Sequence, residues 1–190
     1  MSKNALKNIN FLNYNIIYCI FALLNKFIIK NYIMANKLDK TDLKILKILQ
    51  ENSKITNLEL SRKIGLSPAP TLERVKKLEK MGIINSYHAK LNQNVLGLNV
   101  RTFVLINLLW KKPNALENFI EKINKIDEIV EAYIITGDSD LLLKIITKDI
   151  PTYERLMFNT LSQIDEVEHI KTLMTLSNVK DSNILPFDYE

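Results

Sequence analysis

The spacing of apolar residues divides the chain into two regions with different periodicities. Between residues 38 and 84, apolar positions recur every three or four residues, which predicts amphipathic helices. Beyond residue 99, short apolar runs of strand length alternate with segments of helical spacing. The predicted helices span 38–52, 57–64, 68–80, 114–126 and 151–164, and the predicted strands span 100–110, 129–136, 141–147 and 167–177. The chain is therefore expected to be α+β, with a β-α-β-β-α-β order in its second region, the ferredoxin-like arrangement.

The first region is predicted to contain a helix-turn-helix. Helix 57–64 begins at the capping box of Thr56 and Glu59 and ends at Gly65. A tight turn then leads into helix 68–80. The segment 83–90 that follows is expected to be an extended strand that forms a wing. The predicted domains are a winged helix-turn-helix at 35–90, a linker at 91–99, the ferredoxin-like domain at 100–180 and a tail at 181–190.

Helix 68–80 has well-defined ends. The hydroxyl of Ser67 is expected to cap the first free N–H groups, and Pro68 suits the first helical position. Pro70 also falls in the first turn, where a missing N–H removes no helical bond. Gly82 is expected to end the helix in a left-handed conformation.

The two sides of helix 68–80 differ in charge. A helical wheel puts Leu72, Val75 and Leu78 on one side, and Arg74 falls at the margin. The opposite side carries Ala69, Pro70, Glu73, Lys76, Lys77 and Lys80. For a single charged helix, a solvated surface is the ordinary interpretation. As the second helix of a helix-turn-helix, however, this helix would enter the major groove of DNA.

The charge distribution favours the DNA-binding interpretation. Residues 35–90 contain twelve Lys and Arg against six Asp and Glu, whereas residues 91–190 contain ten against fifteen. The basic excess thus coincides with the helix-turn-helix, as expected for a nucleic-acid-binding domain.

Three segments of the chain carry a recognisable pattern: LDKTDLKIL at 38–46, LSRKIGLSP at 60–68 and ERVKKLEKMGIINSYHA at 73–89. In this order they resemble the Lrp/AsnC family, the feast/famine transcription regulators of bacteria and archaea. The resemblance continues over about 37–180. It implies a regulator that binds double-stranded DNA and forms dimers, often assembled into tetramers or octamers. It also implies an amino-acid effector bound between subunits and no cofactor.

Several side chains of helix 68–80 are expected to contact DNA. Those nearest to the base edges would be Ser67, Ala69, Pro70, Thr71 and Glu73, although the wheel turns Thr71 partly inward. Arg74 is expected to contact a guanine or a phosphate, and Lys76, Lys77 and Lys80 are expected to contact phosphates. Glu73 can accept from a cytosine, but an ion pair with Lys77 one turn further on is favoured.

The first strand of the second region is apolar on both faces. Phe103 and Leu105 lie on one side, and Val104, Ile106 and Leu108 lie on the other. Because helices cover only one face of a ferredoxin-like sheet, the other face needs a partner. The same sheet of a second subunit is the simplest one.

The turn between the second and third strands is the expected effector site. Aspartates at such turns more often bond their own backbone. The family resemblance nevertheless implies that Gly137 approaches the ligand and that Asp138 or Asp140 receives its α-ammonium group. Thr175, expected in the last strand, also belongs to this predicted site. Leucine side chains around the site favour a branched apolar amino acid, whereas Thr175 equally suits a polar one.

The composition argues against catalysis. The two histidines, His88 and His169, fall in different predicted domains, and the single cysteine, Cys19, lies outside both. The four glycines are all accounted for by turns, a helix end and the linker, so no phosphate-binding loop is present. An alternative function remains open: an amino-acid-binding or assembly module whose helix-turn-helix binds proteins.

The first 34 residues contain a nine-residue apolar run at 16–24 that is flanked by lysines. This run is shorter than the roughly twenty residues that a spanning helix needs. We expect Met34 to be the natural start, in which case the protein has no membrane segment and is cytoplasmic. A membrane anchor is the alternative.

Overall fold

The computed structural model of the chain describes residues 38–187. The predictions that concern Cys19, Met34 and residues 1–33 lie outside this range. Within 38–187, no helix has the length and apolar character needed to cross a membrane. The described residues divide into two compact units: one comprises 38–89 together with 182–187, and the other is Lys90–Asp181.

Within residues 38–89, the first unit contains three helices: α1 at Lys40–Glu51, α2 at Asn57–Ile64 and α3 at Pro68–Lys80. Their apolar sides meet around Ile45, Leu60 and Leu78, which are fully or almost fully buried. The helix-turn-helix is confirmed.

The ends of α1 and α2 follow from local hydrogen bonds. Asp39 caps α1 and forms a capping box with Asp42. Thr56 and Glu59 form the predicted capping box of α2, which ends at Gly65 with a φ of 77°. This left-handed conformation favours glycine and turns the chain toward α3.

The strand predicted at 83–90 is absent, and this prediction was wrong. Ile83 and Ile84 pack against the core of the first unit, and the following residues are irregular and mostly exposed. An extended segment becomes a strand only when a second segment pairs with it. Residues 92–97, which follow, form turns instead of a partner strand.

The second unit is a four-stranded antiparallel sheet with two helices. Its elements are β1 at Val100–Leu108, α4 at Ala115–Ile123, β2 at Ile129–Ile134, β3 at Leu141–Thr147, α5 at Ile150–Asn159 and β4 at Val167–Met174. The strand order is β2-β3-β1-β4, which confirms the ferredoxin-like arrangement. Several ends differ from the prediction: β1 ends at Leu108, α4 at Ile123 and β2 at Ile134, each two or three residues early. Helix α5 begins one residue before Pro151, with Asp149 as its cap, and ends at Asn159, and β4 ends before Thr175.

The two faces of this sheet differ in their cover. Val104, Ile106 and Leu143 pack with Phe119 of α4 and Leu156 of α5 in the buried core. The opposite face, here called the open face, carries residues that pair directly across the strands. They are Phe103 opposite Leu173, and Leu105 opposite Leu142, which in turn is opposite Tyr133. Tyr133 and Leu173 are about half exposed, so the two-sided pattern of β1 leaves an apolar surface available for a partner.

Candidate DNA-binding and effector sites

The start of α3 is fixed by backbone and side-chain contacts that differ from the expected cap. Ser67 occupies the N-cap position, but its hydroxyl makes no capping bond, which corrects the prediction. Pro68 and Pro70 make such a bond less necessary, because neither has an N–H group to satisfy. The side-chain amide of Asn57 donates to the carbonyl oxygen of Pro68 at 2.8 Å and holds this end of α3 against α2.

Thr71 points into the first unit. Its side chain is fully buried, and its hydroxyl donates to the carbonyl oxygen of Ser67 at 2.9 Å. Thr71 is therefore unavailable for a base contact, and its expected role in DNA binding is corrected. Leu72, assigned by the wheel to the inner side, is instead 42% exposed, whereas Leu78 is fully buried.

Arg74 is bound by two carboxylates of α1 and its cap. Its Nη1 atom lies 2.6 Å from Oδ2 of Asp39 and 2.6 Å from Oδ1 of Asp42. These two carboxylates raise the pKa of the guanidinium. The backbone N–H of Asp42, together with Arg74, lowers the pKa of Asp39. Contact with a guanine or a phosphate would require Arg74 to leave both partners. The geometry therefore does not favour the DNA contact that the sequence analysis expected for Arg74.

The lysines of α3 face solvent. The Lys77 side chain is about half exposed, with Nζ 3.8 Å from Oδ2 of Asp42. Glu73 pairs with Lys76 at 3.3 Å, so the expected Glu73–Lys77 pair is not formed. Lys80 is exposed near the end of the helix. The exposed side of α3, which also carries Ala69 and Pro70, has the composition expected for phosphate and groove contacts.

Two residues of this region were not identified from the sequence. Asn57 positions the start of α3, and Tyr87 holds the segment after it: the Tyr87 hydroxyl donates to Oε1 of Glu79 at 2.8 Å. Burial and the neighbouring Glu79 raise the pKa of Tyr87 to about 12. No sequence pattern marks either contact, because each joins residues on different elements.

The predicted effector turn is attached to β1 by its polar groups. Oδ2 of Asp140 accepts from the backbone N–H of Leu108 at 2.8 Å, so this carboxylate bonds a neighbouring strand and not its own turn. Gly137 has a φ of 117°, and Asp138 beside it is exposed. Gly137, Asp138 and Asp140 are therefore brought together, as the sequence predicted.

Asn107 of β1 is a further residue of this turn that the sequence analysis missed. Its amide nitrogen donates to the carbonyl oxygen of Asp138 at 2.7 Å, and its amide oxygen accepts from the hydroxyl of Ser139 at 3.3 Å. Asn107 interrupts the apolar run at 103–109, and a polar residue in such a run was the available signal.

Thr175 lies at the other end of β1 from the turn. It follows β4, and its backbone N–H donates to the carbonyl oxygen of Arg101 at 3.1 Å. In the register of β1, Arg101 is six residues from Asn107. Within one chain, the structure thus does not bring Thr175 together with Asp138 and Asp140.

Charged side chains accompany the apolar residues of the open face. Lys144 donates to Oε1 of Glu131 at 2.6 Å, and the Tyr133 hydroxyl donates to Oε2 of the same carboxylate. Lys144 first, and Tyr133 second, lower the pKa of Glu131. Among residues 38–187, no cluster of His, Cys, Asp and Glu is arranged to hold a metal ion.

Comparison with protein families matches both units. Residues 38–85 match a winged helix-turn-helix DNA-binding family, and residues 101–185 match the Lrp/AsnC ligand-binding domain. Members of these families that resemble the chain are transcriptional regulators and not enzymes.

Individual relatives match over most of their length. The leucine-responsive regulatory protein of Haemophilus influenzae is 43% identical over 148 residues, which are 78% of this chain and 89% of that protein. A transcriptional regulator from Neisseria meningitidis, solved in complex with L-Met, is 35% identical with a TM-score of 0.76, covering 79% of this chain and 97% of the other. AsnC of Escherichia coli is 30% identical with a TM-score of 0.72, and the match covers 78% of this chain and 99% of AsnC. The chain belongs to the Lrp/AsnC family of transcriptional regulators, with a DNA-binding helix-turn-helix and a ligand-binding domain.

Proposed function

We propose that the chain is a cytoplasmic, sequence-specific DNA-binding regulator of genes of amino-acid metabolism, controlled by an amino acid that binds between subunits. The observation that carries the DNA-binding part is the exposed side of α3. Lys76, Lys77 and Lys80 face solvent there, beyond a helix start whose position is fixed by Asn57. This is the arrangement of a recognition helix in the major groove.

The proposed DNA contacts divide by position along α3. Ser67, Ala69, Pro70 and Glu73, at and just inside the N-terminal end, approach base edges. Lys76, Lys77 and Lys80 bind phosphates, which fix the register without reading sequence. In a dimer, two copies of α3 bind half-sites one helical turn apart, about 34 Å, on an imperfect palindrome.

Dimerisation is proposed to cover the open face. Its apolar residues pair across the three strands β1, β3 and β4, with Tyr133 of β2 beside them. A second copy of the sheet would remove this surface from water, a favourable change of roughly 25 cal/mol for each Å² of apolar area. Dimers then assemble into tetramers or octamers.

The effector is proposed to be an apolar amino acid such as leucine or methionine. An amino acid needs an anionic acceptor for its α-ammonium group, and Asp138 or the second oxygen of Asp140 supplies it. The names of two relatives support this choice: one is a leucine-responsive protein and another was solved with L-Met. Because Thr175 is remote from the turn within one chain, it would contribute from the partner subunit.

Two measurements test the proposal. A DNA shift assay with a random duplex library, across a salt series, is expected to yield a preferred palindrome and salt-sensitive binding. A thermal-shift screen of the twenty amino acids is expected to raise the unfolding midpoint with an apolar amino acid at millimolar concentration. Absence of DNA binding, with an amino-acid response retained, would favour the alternative in which the helix-turn-helix binds proteins.

A further inference from the structure

We propose that Arg74 positions the recognition helix and does not contact DNA, an inference that rests on the proposed DNA-binding function. Arg74 is the arginine of α3, and its place at the margin of the exposed side suggests a DNA contact. Its guanidinium is nevertheless held at 2.6 Å by each of two carboxylates, Asp39 and Asp42. Charge-assisted bonds of this length are among the strong hydrogen bonds of proteins.

Backbone groups at the start of α1 contact both of these carboxylates. Oδ1 of Asp39 accepts from the backbone N–H of Asp42 at 2.8 Å, and the carboxylate of Asp42 lies 3.4 Å from the backbone nitrogen of Asp39. Asp42 is fully buried at the start of α1, where an ionised carboxylate needs a cation. Arg74 therefore binds one buried carboxylate, Asp42, and one half-exposed carboxylate, Asp39, and the backbone at the start of α1 helps to hold both in place.

Helix α3 is attached to the rest of the first unit at a second point, so that the contact of Arg74 helps to fix the position of the helix. The start of α3 is held at Pro68 by Asn57, and Arg74 holds the helix nearly two turns further along. Two such points, together with the buried Leu78, fix the rotation of α3 about its own axis. A rotation of about 20° would move a side-chain end roughly 5 Å from the axis by nearly 2 Å, which is enough to lose a base contact.

The chemistry of arginine suits this role better than that of lysine. Both contacts come from Nη1, and the planar guanidinium fixes the directions of the two N–H groups of this atom, so that it can bind two carboxylates at once. Lys77 also faces Asp42, but at 3.8 Å and with its side chain about half exposed. Arg74 thus satisfies the buried carboxylate and leaves Lys77 available for a phosphate.

The test compares Arg74→Ala with Lys76→Ala on two duplexes, one selected from a random library by the wild-type protein and one of unrelated sequence. For Arg74→Ala we expect at least a tenfold loss of affinity for the selected duplex. Its affinity for the unrelated duplex should change less than twofold, with an unchanged dependence of binding on salt. Lys76→Ala should weaken both duplexes equally and reduce the salt slope by about one, as the loss of a phosphate contact does.

Two variants protect the test against simple misfolding. Asp39→Ser keeps a side-chain acceptor for the helix cap but removes one carboxylate partner of Arg74. Arg74→Lys keeps the positive charge and loses the planar guanidinium group. Both should lose preference for the selected duplex at temperatures where circular dichroism and thermal unfolding show a folded protein, with Arg74→Lys intermediate between wild type and Arg74→Ala.

The outcomes separate this inference from the proposed function. If Arg74→Ala weakens both duplexes equally and lowers the salt slope by about one, Arg74 is a phosphate contact and the inference fails alone. An unchanged preference in Asp39→Ser and Arg74→Lys would also overturn it. If the wild-type protein binds neither duplex, the proposed function fails and the positioning role fails with it.

Discussion

The two units of the chain expose opposite kinds of surface. The exposed side of α3 carries lysines at helical spacing, whereas the open face of the sheet carries apolar side chains such as Tyr133 and Leu173. A charged surface is stable in water by itself and attracts a charged polymer. An apolar surface of this kind is stable only when a partner covers it.

The carboxylates of both units nevertheless behave alike. Asp42 binds Arg74 inside the first unit, and Asp140 binds the backbone of Leu108 inside the second. Arg74 and Asp140, which the sequence places at binding surfaces, are thus both engaged within their own unit. The comparison teaches that a charge near a site is not by itself a charge directed at the ligand.

The largest expected effect tests the open face. Leu105→Asp places a carboxylate on the central strand β1, where it is tolerated in a monomer but would be buried in a dimer. Burying a carboxylate in the dimer costs several kcal/mol even with Lys171 opposite it in the sheet, so self-association should weaken by about a thousandfold or more. Light scattering coupled to size exclusion should find monomers. Val95→Asp, at a highly exposed position outside the strands, is the matched control and should remain dimeric; a dimeric Leu105→Asp would exclude this face as the interface.

The next effect compares two leucines on α3. Leu78→Ala should lower the free energy of unfolding of the first unit by about 2–5 kcal/mol, because it leaves a cavity in the buried core. Leu72→Ala, at a 42% exposed position, should change it by about 0.5 kcal/mol or less. Chemical denaturation followed by circular dichroism measures both. Equal losses would contradict the orientation of α3 described above.

A smaller effect is expected at the effector turn. Asp140→Asn keeps an oxygen that can accept from the backbone N–H of Leu108 but removes the charge that would receive an α-ammonium group. Its unfolding midpoint without ligand should stay near that of wild type, and the midpoint increase with amino acid should disappear. Asp140→Ala should lose both the hydrogen bond to Leu108 and the amino-acid response, so its unfolding midpoint without ligand should also fall. A full amino-acid response in Asp140→Asn would assign the ammonium contact elsewhere, with Asp138 as the first alternative.

Binding of the effector to the second unit is expected to change the DNA affinity of the first unit by a moderate factor. An effector that changes DNA affinity should do so by roughly 1–3 kcal/mol, a five- to 150-fold shift. Titrating a selected duplex with and without the amino acid that raises the midpoint measures it. No shift in DNA affinity, together with an unchanged oligomer size, would leave the bound amino acid without a regulatory role.

The smallest effect concerns one phosphate contact. Lys77→Ala should weaken binding to all duplexes and reduce the slope of log affinity against log salt by about one. Lys125→Ala, an exposed lysine of the second unit that pairs with Glu121, is the matched control and should leave the slope unchanged. An unchanged slope in Lys77→Ala would mean that this side chain stays beside Asp42 in the complex.

Local signals in the sequence predicted the elements well. The capping box of Thr56 and Glu59 and the glycine after α2 involve residues only a few positions apart, so their geometry follows from the order of the residues. The alternation along β1 likewise predicted which side chains share a face, although it did not predict which of the two faces meets the core. The ferredoxin-like order followed from these elements together.

Contacts between distant residues were not predictable in the same way. Arg74 lies 35 positions after Asp39 and 32 after Asp42. Nothing in the sequence around Arg74 indicates that it contacts these two carboxylates. The strand expected at 83–90 failed for a related reason, because pairing depends on a second segment. The side-chain cap expected from Ser67 failed because two prolines already reduce the number of free donors.

The bond between Asp140 and the backbone of Leu108 also provides an intrinsic optical probe. Trp110, the single tryptophan of the chain, lies two residues beyond Leu108 and is 42% exposed. Its backbone N–H donates to the carbonyl oxygen of Leu108 at 2.9 Å, so Leu108 is bonded to the turn through its N–H and to Trp110 through its carbonyl oxygen. A change at the turn therefore reaches the fluorophore through one residue of backbone. The emission of the unlabelled protein, excited at tryptophan wavelengths, should follow occupancy of the turn in real time.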